Sequence, residues 1–456
     1  MNTRRYIQSL LPSLVLACLL LAMGCARQSY PGRRDSLQPD AGVYGVATQD
    51  GSSSTSVQGY SHTKNTQAET ALQQRINSLL DDPACQTYQV GISIYDITEG
   101  RSLYARGQHQ RMRPASTEKV VTAITALDIL GPDYGLTTHF FADGAIIDGH
   151  LKGDLWVVGA MDPLLSRADL RSVCQALRQA GIKSIDGVIR ADLGLKDSDR
   201  WGWGWCWDDR NPVLTPLLVD GDDAFGQAFL TALRQAGIQC KASAPALSTQ
   251  LSSSIIQPFP AGRVPASATE LCVCTHRLPE VMVAMMKDSH NLSAESVFYQ
   301  LLAATGTRGG GRKQVAALVN GLIDRAAQQC GSIGVSSDRV QVADGSGLSL
   351  YNYQTAETFV TLLRYAALSQ RIYPTLFNVL PIAAVDGTLR NRMGGTPAAG
   401  RVRAKTGTVE GVSSLVGYVT HPRTGHLIAF AILTQGVQRT ALGRNLQDQI
   451  CTLLCE

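Results

Sequence analysis

The sequence has little charge. Asp, Glu, Lys and Arg make up 17% of its 456 residues, against about 25% in a typical soluble chain. It has no block of like charge and no basic stripe, and 41 basic against 37 acidic residues leave a net charge of +4. That excludes nucleic-acid binding, which needs a concentrated basic surface. It also lacks internal repeats and a phosphate-binding loop. The Gly-rich, basic stretch 306–313 has neither the glycine spacing nor the Gly-Lys-Ser/Thr ending, and reads as a plain loop. Cys272-Val-Cys274-Thr-His276 has no second ligand pair at zinc-site spacing, so no metal is expected. The dense apolar run Leu14 to Met23 falls short of a membrane span of about 20 residues. What is present is a chain with 44% apolar residues, long enough for a large core and roughly two to four domains.

The short apolar run follows Arg4 and Arg5 and ends at Gly24, as in a secretory leader. Ala22-Met-Gly-Cys25 is similar to a bacterial lipobox, with Ala where Leu is usual. Residues 1–25 therefore read as a signal peptide of lipoprotein type, with Cys25 as the lipidated residue. Ordinary cleavage or an uncleaved anchor are the alternatives. All three place the rest of the chain outside the cytoplasm, and lipidation adds a membrane partner. Nine cysteines lie beyond this leader. An exported chain is expected to pair them, leaving one thiol over.

Residues 26–68 are rich in Ser, Gly, Gln and Thr and read as a flexible tether. Helical periodicity begins near Glu69, with Leu72, Ile76, Leu79 and Leu80 on one face. Strands follow at 88–95 and 102–106, then a helix from Ser116 to Leu130. The middle of the chain is mixed and interrupted by Gly and Pro. It contains Trp201-Gly-Trp-Gly-Trp-Cys-Trp207, which holds four of the five Trp residues. Such a cluster suits sugar or membrane contact, or a packed corner. The C-terminal part gives three strands and a helix. Helix, two strands and helix at one end, with three strands and helix at the other, imply an antiparallel sheet built from both ends.

Three short motifs carry chemistry. Ser116-Thr-Glu-Lys119 opens a helix, so Ser and Lys share one face. A Ser hydroxyl needs a base beside it, and a neutral Lys serves if burial and a second cation lower its pKa. Ser289-His-Asn291 offers a hydroxyl and an amide on one loop before a helix. Alone, it would be explained by helix capping. Lys405-Thr-Gly-Thr408 lies on a strand. Lys405 supplies the second cation, Gly407 admits a close backbone, and Thr406 and Thr408 suit a carboxylate.

In this order, and with helix, loop and strand contexts, the motif set resembles that of the penicillin-recognising serine enzymes. Arg113-Pro-Ala-Ser116-Thr-Glu-Lys119 resembles the D-alanyl-D-alanine carboxypeptidase/endopeptidase family, the class C low-molecular-mass penicillin-binding proteins. Further signatures agree: Gly159-Ala-Met-Asp-Pro163, Lys287 to Glu295, Asp344-Gly-Ser-Gly-Leu-Ser349, Asp386-Gly-Thr-Leu389 and Ala404 to Thr408. His290 stands where that family commonly has Asp or Asn. The stretch from Ser116 to Ser289 is shorter than usual, which implies a trimmed or missing insert subdomain.

The resemblance implies an α+β fold. A β-lactamase/transpeptidase-like domain, an antiparallel sheet flanked by helices at 69–135 and 280–456, is split by an inserted, mainly β subdomain at 136–279. It also implies a periplasmic, cofactor-free enzyme acting on peptidoglycan peptides and acylated by β-lactam antibiotics. Ser116, Lys119 and Ser289 would be catalytic, and Asn291, Lys405, Thr406, Gly407 and Thr408 would bind substrate. A serine β-lactamase and a non-catalytic, cell-wall-binding lipoprotein are the rival readings.

Overall fold

The computed structural model describes residues 61–240 and 261–456. The leader with Cys25 and the tether up to residue 60 lie outside them. Helix α1 (Ser61–Leu80) leads into the hairpin β1 (Gln89–Asp96) and β2 (Arg101–Arg106), then α2 (Glu118–Ile129). The excursion that follows holds β3 (Gly135–Asp143), β4 (Ile146–Ile147), β5 (His150–Leu151), β6 (Asp154–Val158) and α3 (Arg167–Gln179). It continues through β7 (Ser184–Ile185), β8 (Ile189–Asp192), α4 (Phe225–Gln235), β9 (Gln239–Cys240) and β10 (Thr269–Arg277). Then come α5 (Leu278–Lys287), α6 (Asn291–Gln300), α7 (Arg312–Cys330), α8 (Ala356–Ala367) and α9 (Tyr373–Val379). Strands β11 (Val402–Val409), β12 (Val412–Thr420) and β13 (Leu427–Gln435) and helix α10 (Thr440–Leu453) complete the chain. Residues 61–68, read as tether, form the first turns of α1; their polar run carries no apolar period to announce a helix.

The two ends of the chain build one five-stranded sheet, ordered β11-β12-β13-β1-β2, antiparallel throughout. Strands β12 and β13 are buried along nearly their whole length, because both faces are covered. Val416, Tyr418, Ala429 and Leu433 join the core formed with α2, α5, α6, α7 and α8. Leu415, Val419, Phe430 and Ile432 join a second core with Ile76 and Leu80 of α1 and Leu446 and Ile450 of α10. Phe430 is fully buried; truncating such a ring costs about 3–5 kcal/mol.

The excursion has its own core around Phe140, Val157, Leu170, Leu177, Phe225 and Phe229. Two four-stranded sheets, β10-β3-β6-β8 and β4-β5-β7-β9, surround it with α3 and α4. Strand β3 leaves the first half and β10 returns to it, paired antiparallel from Gly135↔Arg277 to Ala142↔Thr269. Entry to and exit from the insertion are thus tied together beside α2 and α5.

The expectation of disulfides is not met: all nine described cysteines are free. They pack as small apolar side chains instead. Cys174 lies inside the insertion core, with Cys240, Cys272 and Cys274 against it. Cys451 and Cys455 are buried in the core of the sheet. Burial pushes the thiols of Cys272 and Cys455 up to about 11 and those of Cys174 and Cys274 up to about 12, so the reactive thiolate is disfavoured. His276, two residues beyond Cys274, is committed to Asp162 Oδ2 at 2.6 Å.

Candidate active site

Ser116 lies in a single 3-10 turn, Ala115–Thr117, immediately before α2. Ala115 is held at φ 48, a left-handed conformation that costs a residue with a Cβ roughly 1–2 kcal/mol. Two glycines make the arrangement possible. A Cβ on Gly347 would meet the Ala115 carbonyl oxygen at 1.9 Å, and one on Gly407 the Pro114 carbonyl oxygen at 2.5 Å. Gly407 therefore admits the nucleophile turn against strand β11. The backbone that its missing side chain admits here is that of the protein itself.

Lys119 is buried one turn below Ser116. Its Nζ donates to Ser116 Oγ at 2.9 Å, to Asn291 Oδ1 at 2.8 Å and to the Ser346 carbonyl oxygen at 2.7 Å. Two of these partners, an amide oxygen and a carbonyl oxygen, only accept; the third, a hydroxyl, also donates. A neutral amine has two N–H groups and one lone pair. The ammonium donates to all three; the neutral amine keeps its two N–H groups on the Asn291 and Ser346 oxygens and turns its lone pair to the Ser116 hydroxyl, which then donates to it, as a base requires. Burial pushes Lys119 down to about 7, although Asp344, Glu295 and Glu118 pull the other way.

Ser289 also occupies left-handed space, at φ 59. Lys405 Nζ donates to its Oγ at 2.9 Å and to the Thr406 carbonyl oxygen at 2.8 Å. Lys405 is buried, and burial, followed by the charge of Lys119, drives its pKa well below the ordinary lysine value. Asn291 is the first residue of α6, yet its side chain caps nothing; it goes to Lys119. His290 is exposed and its ring meets Ser293 Oγ at 2.8 Å.

Strand β11 is the edge of the five-stranded sheet. Ala404 N donates outward to the Pro381 carbonyl, so by strand parity Thr406 and Thr408 also turn their N–H groups to that edge. Thr408 is exposed there. The Thr406 hydroxyl donates to Thr388 Oγ1 at 2.8 Å, which makes Thr388, in the Asp386 to Leu389 signature, a further member of this rim. Ser116, Lys119 and Asn291 thus form one hydrogen-bonded group and Ser289 with Lys405 a second, near enough for the charge of Lys119 to depress Lys405; Thr406, Gly407 and Thr408 border them. Cys25 lies outside the described residues.

Three acids behind Lys119 were not assigned from sequence. Glu295 stands one turn beyond Asn291 on α6, and its Oε1 accepts from Gly345 N and Ser346 N at 3.2 and 2.8 Å. It thereby fixes the carbonyl that holds Lys119. Asp344 accepts from Gly347 N, Ser349 N, Asn352 Nδ2 and Trp205 Nε1 at 2.8, 2.7, 2.6 and 2.8 Å. Glu118 meets Gln354 Nε2 at 3.1 Å. Burial, then Asp344, raises Glu295 to about 8 and drives Glu118 well above the usual carboxylate range. The signal available was the pair of signatures containing Glu295 and Asp344; neither reveals that the acids are buried.

The chain matches the model of the D-Ala-D-Ala carboxypeptidase 3 (S13) family over residues 72–218 and 215–456. It is 28% identical to the D-alanyl-D-alanine carboxypeptidase of Actinomadura sp. (strain R39) over 85% of each chain. It is 26% identical to the D-alanyl-D-alanine carboxypeptidase DacB of Haemophilus influenzae, over 71% of this chain and 81% of that one. Among solved structures, penicillin binding protein 4 (dacB) from Haemophilus influenzae superposes with a TM-score of 0.69. That match has 22% identity and covers 83% of this chain and 99% of the other. This likeness shows the fold, the expected α+β architecture of antiparallel sheet and flanking helices.

Proposed function

The chain belongs to the D-Ala-D-Ala carboxypeptidase 3 (S13) family, and on that premise we propose that it hydrolyses D-Ala-D-Ala peptide bonds of peptidoglycan stem peptides through an acyl-enzyme on Ser116. The observation that carries this reading is the environment of Lys119, whose partners fit a neutral amine with its lone pair on Ser116 Oγ.

Ser116 Oγ attacks the carbonyl carbon of the penultimate D-Ala, and its proton passes to Lys119 Nζ. Negative charge develops on the carbonyl oxygen. The backbone N–H groups of Ser116 and Thr408 are the proposed donors to it; one such donor contributes about 3–4 kcal/mol. The C–N bond then breaks. Ser289, held by Lys405, relays the proton from Lys119 to the leaving D-Ala nitrogen. Water attacks the ester, Lys119 takes its proton, and Ser116 Oγ leaves with a proton restored. Asn291 orients the peptide amide, while Thr406 and Thr408 face the terminal carboxylate. β-Lactams enter the same path: their amide opens on Ser116, and the leaving nitrogen stays tethered, which slows attack by water.

Arg4-Arg5, the apolar run and Ala22-Met-Gly-Cys25 support export to the periplasm and anchoring through a lipidated Cys25. Incorporation of labelled fatty acid, lost in Cys25→Ala, tests the anchor. The activity is tested by D-alanine release from a stem pentapeptide: wild type releases it, and Ser116→Ala does not. Release that persists in the variant would overturn the assignment.

A further inference from the structure

Apart from the hydrogen bond from Trp205 to Asp344, the Trp-rich segment takes no part in this chemistry. Of its rings, only Trp205 is packed into the core, at 7% exposure; Trp201, Trp203 and Trp207 are 52%, 42% and 88% exposed. Trp203 is nevertheless held in place, and Trp201 lies against Trp205 with ring centroids 5.8 Å apart. The Trp203 and Gly204 carbonyl oxygens accept from Ser349 Oγ at 2.7 Å and Leu350 N at 3.1 Å. The Trp203 ring packs at a tilt against Tyr351, with centroids 4.5 Å apart. Arg312 lies 4.0 Å over the Trp203 ring, and among the described residues its guanidinium has no ion pair. Trp201, Trp203 and Arg312 line a groove of about 460 Å³, backed by Phe298, Tyr299 and Asp344. That volume lies in the range of small-ligand sites.

We propose that this groove is a subsite for the glycan strand to which the stem peptide is attached. A pyranose ring offers an apolar C–H face and a polar rim. The first matches exposed aromatic faces presented by a rigid loop. The second needs a donor, and the Arg312 guanidinium supplies N–H groups beside Trp203. One loop borders both the groove and the reaction site: Asp344 backs the groove, and two residues on the Ser346 carbonyl holds Lys119. Asp208 and Asp209 directly follow Trp207 and oppose an anionic lipid surface. The inference rests on the proposed reaction at Ser116 and makes its substrate the glycan-linked rather than the free peptide.

The test uses fluorescently labelled, peptide-free glycan strands with the wild-type chain, Trp201→Ala and Trp203→Ala, followed by anisotropy. Penicillin acylation of each protein reports an intact catalytic half. The wild type should bind saturably, and each variant should bind roughly two- to tenfold more weakly. D-Ala release from glycan-linked peptide should fall by the same factor, and release from free pentapeptide should not change. Trp201 is half exposed, so its variant decides the matter if Trp203→Ala fails to fold. Equal affinity across the acylation-competent proteins, no binding by wild type, or binding to anionic vesicles in place of glycan would overturn the proposal. A wild type that resists penicillin would instead overturn the Ser116 reading, while the anisotropy still judges the groove.

Discussion

The Ser346 carbonyl oxygen lies 2.7 Å from the Nζ of Lys119. With Asn291 Oδ1 on another side at 2.8 Å, it takes up the two N–H groups of a neutral amine and leaves the lone pair to Ser116. The nucleophile is therefore activated by how its base is hydrogen-bonded and buried.

The acylation rate follows the neutral fraction of Lys119. Burial holds its pKa at about 7, so the second-order rate of penicillin acylation should rise with pH and level off above a midpoint near 7. Lys119→Ala should lower the rate roughly 10²–10⁴-fold and abolish that limb. A rate independent of pH between 5 and 9 would assign the base elsewhere.

Glu295 is expected to tune the upper part of this limb. Its negative charge, which grows in only as pH rises towards about 8, raises the pKa of Lys119, so Glu295→Gln, which keeps an acceptor for Gly345 N and Ser346 N, should sharpen the limb and bring its plateau to lower pH. Stability should respond as well. The folded-state pKa is raised from the usual 4.5 to about 8. Its contribution is complete below pH 4.5 and is lost as pH rises through about 8. Calorimetric Tm against pH should therefore be flatter for the variant across that window; parallel curves would contradict the argument.

Gly407→Ala should loosen the nucleophile turn. The new methyl would lie 2.5 Å from the Pro114 carbonyl oxygen and 3.0 Å from Thr117 N, contacts that neither backbone can relieve alone. A loss of about 1–3 kcal/mol in unfolding free energy is expected, with slower acylation because Ser116 sits inside the displaced turn. Unchanged stability and rate would mean that the strand shifts freely.

The nine described cysteines are free and mostly packed in cores. Reductant should leave Tm unchanged, and a thiol titration in denaturant should count all nine. A reductant-sensitive Tm would show a disulfide that this fold does not contain.

Much of the central sheet was legible because its strands and flanking helices carry clear periods. Ile76 and Leu80 mark the inner face of α1, and the apolar runs of β12 and β13 mark strands buried on both sides. Helix α8 was not legible. Phe359, Val360, Leu362 and Leu363 are all fully buried, while Glu357, Thr361 and Arg364 share the opposite face; the short β-branched and aromatic run Thr358-Phe-Val-Thr361 reads as readily as a strand and masks that stripe. Strand β3 alternates in burial, but one of its inward residues is Thr138 and one of its half-exposed ones is Phe141, so hydrophobicity does not track the fold. In the site, the three motifs announce themselves by residue type. Ser346 acts through its backbone carbonyl, which any residue supplies, and Glu295 acts through burial, which no local pattern encodes.

The most direct test of the account is the intact mass of the protein after benzylpenicillin, with Ser116→Ala alongside. A persistent increase of one drug mass on the wild type, absent from the variant, is the predicted result. Equal labelling of both proteins, or no labelling of either, would contradict a nucleophilic Ser116.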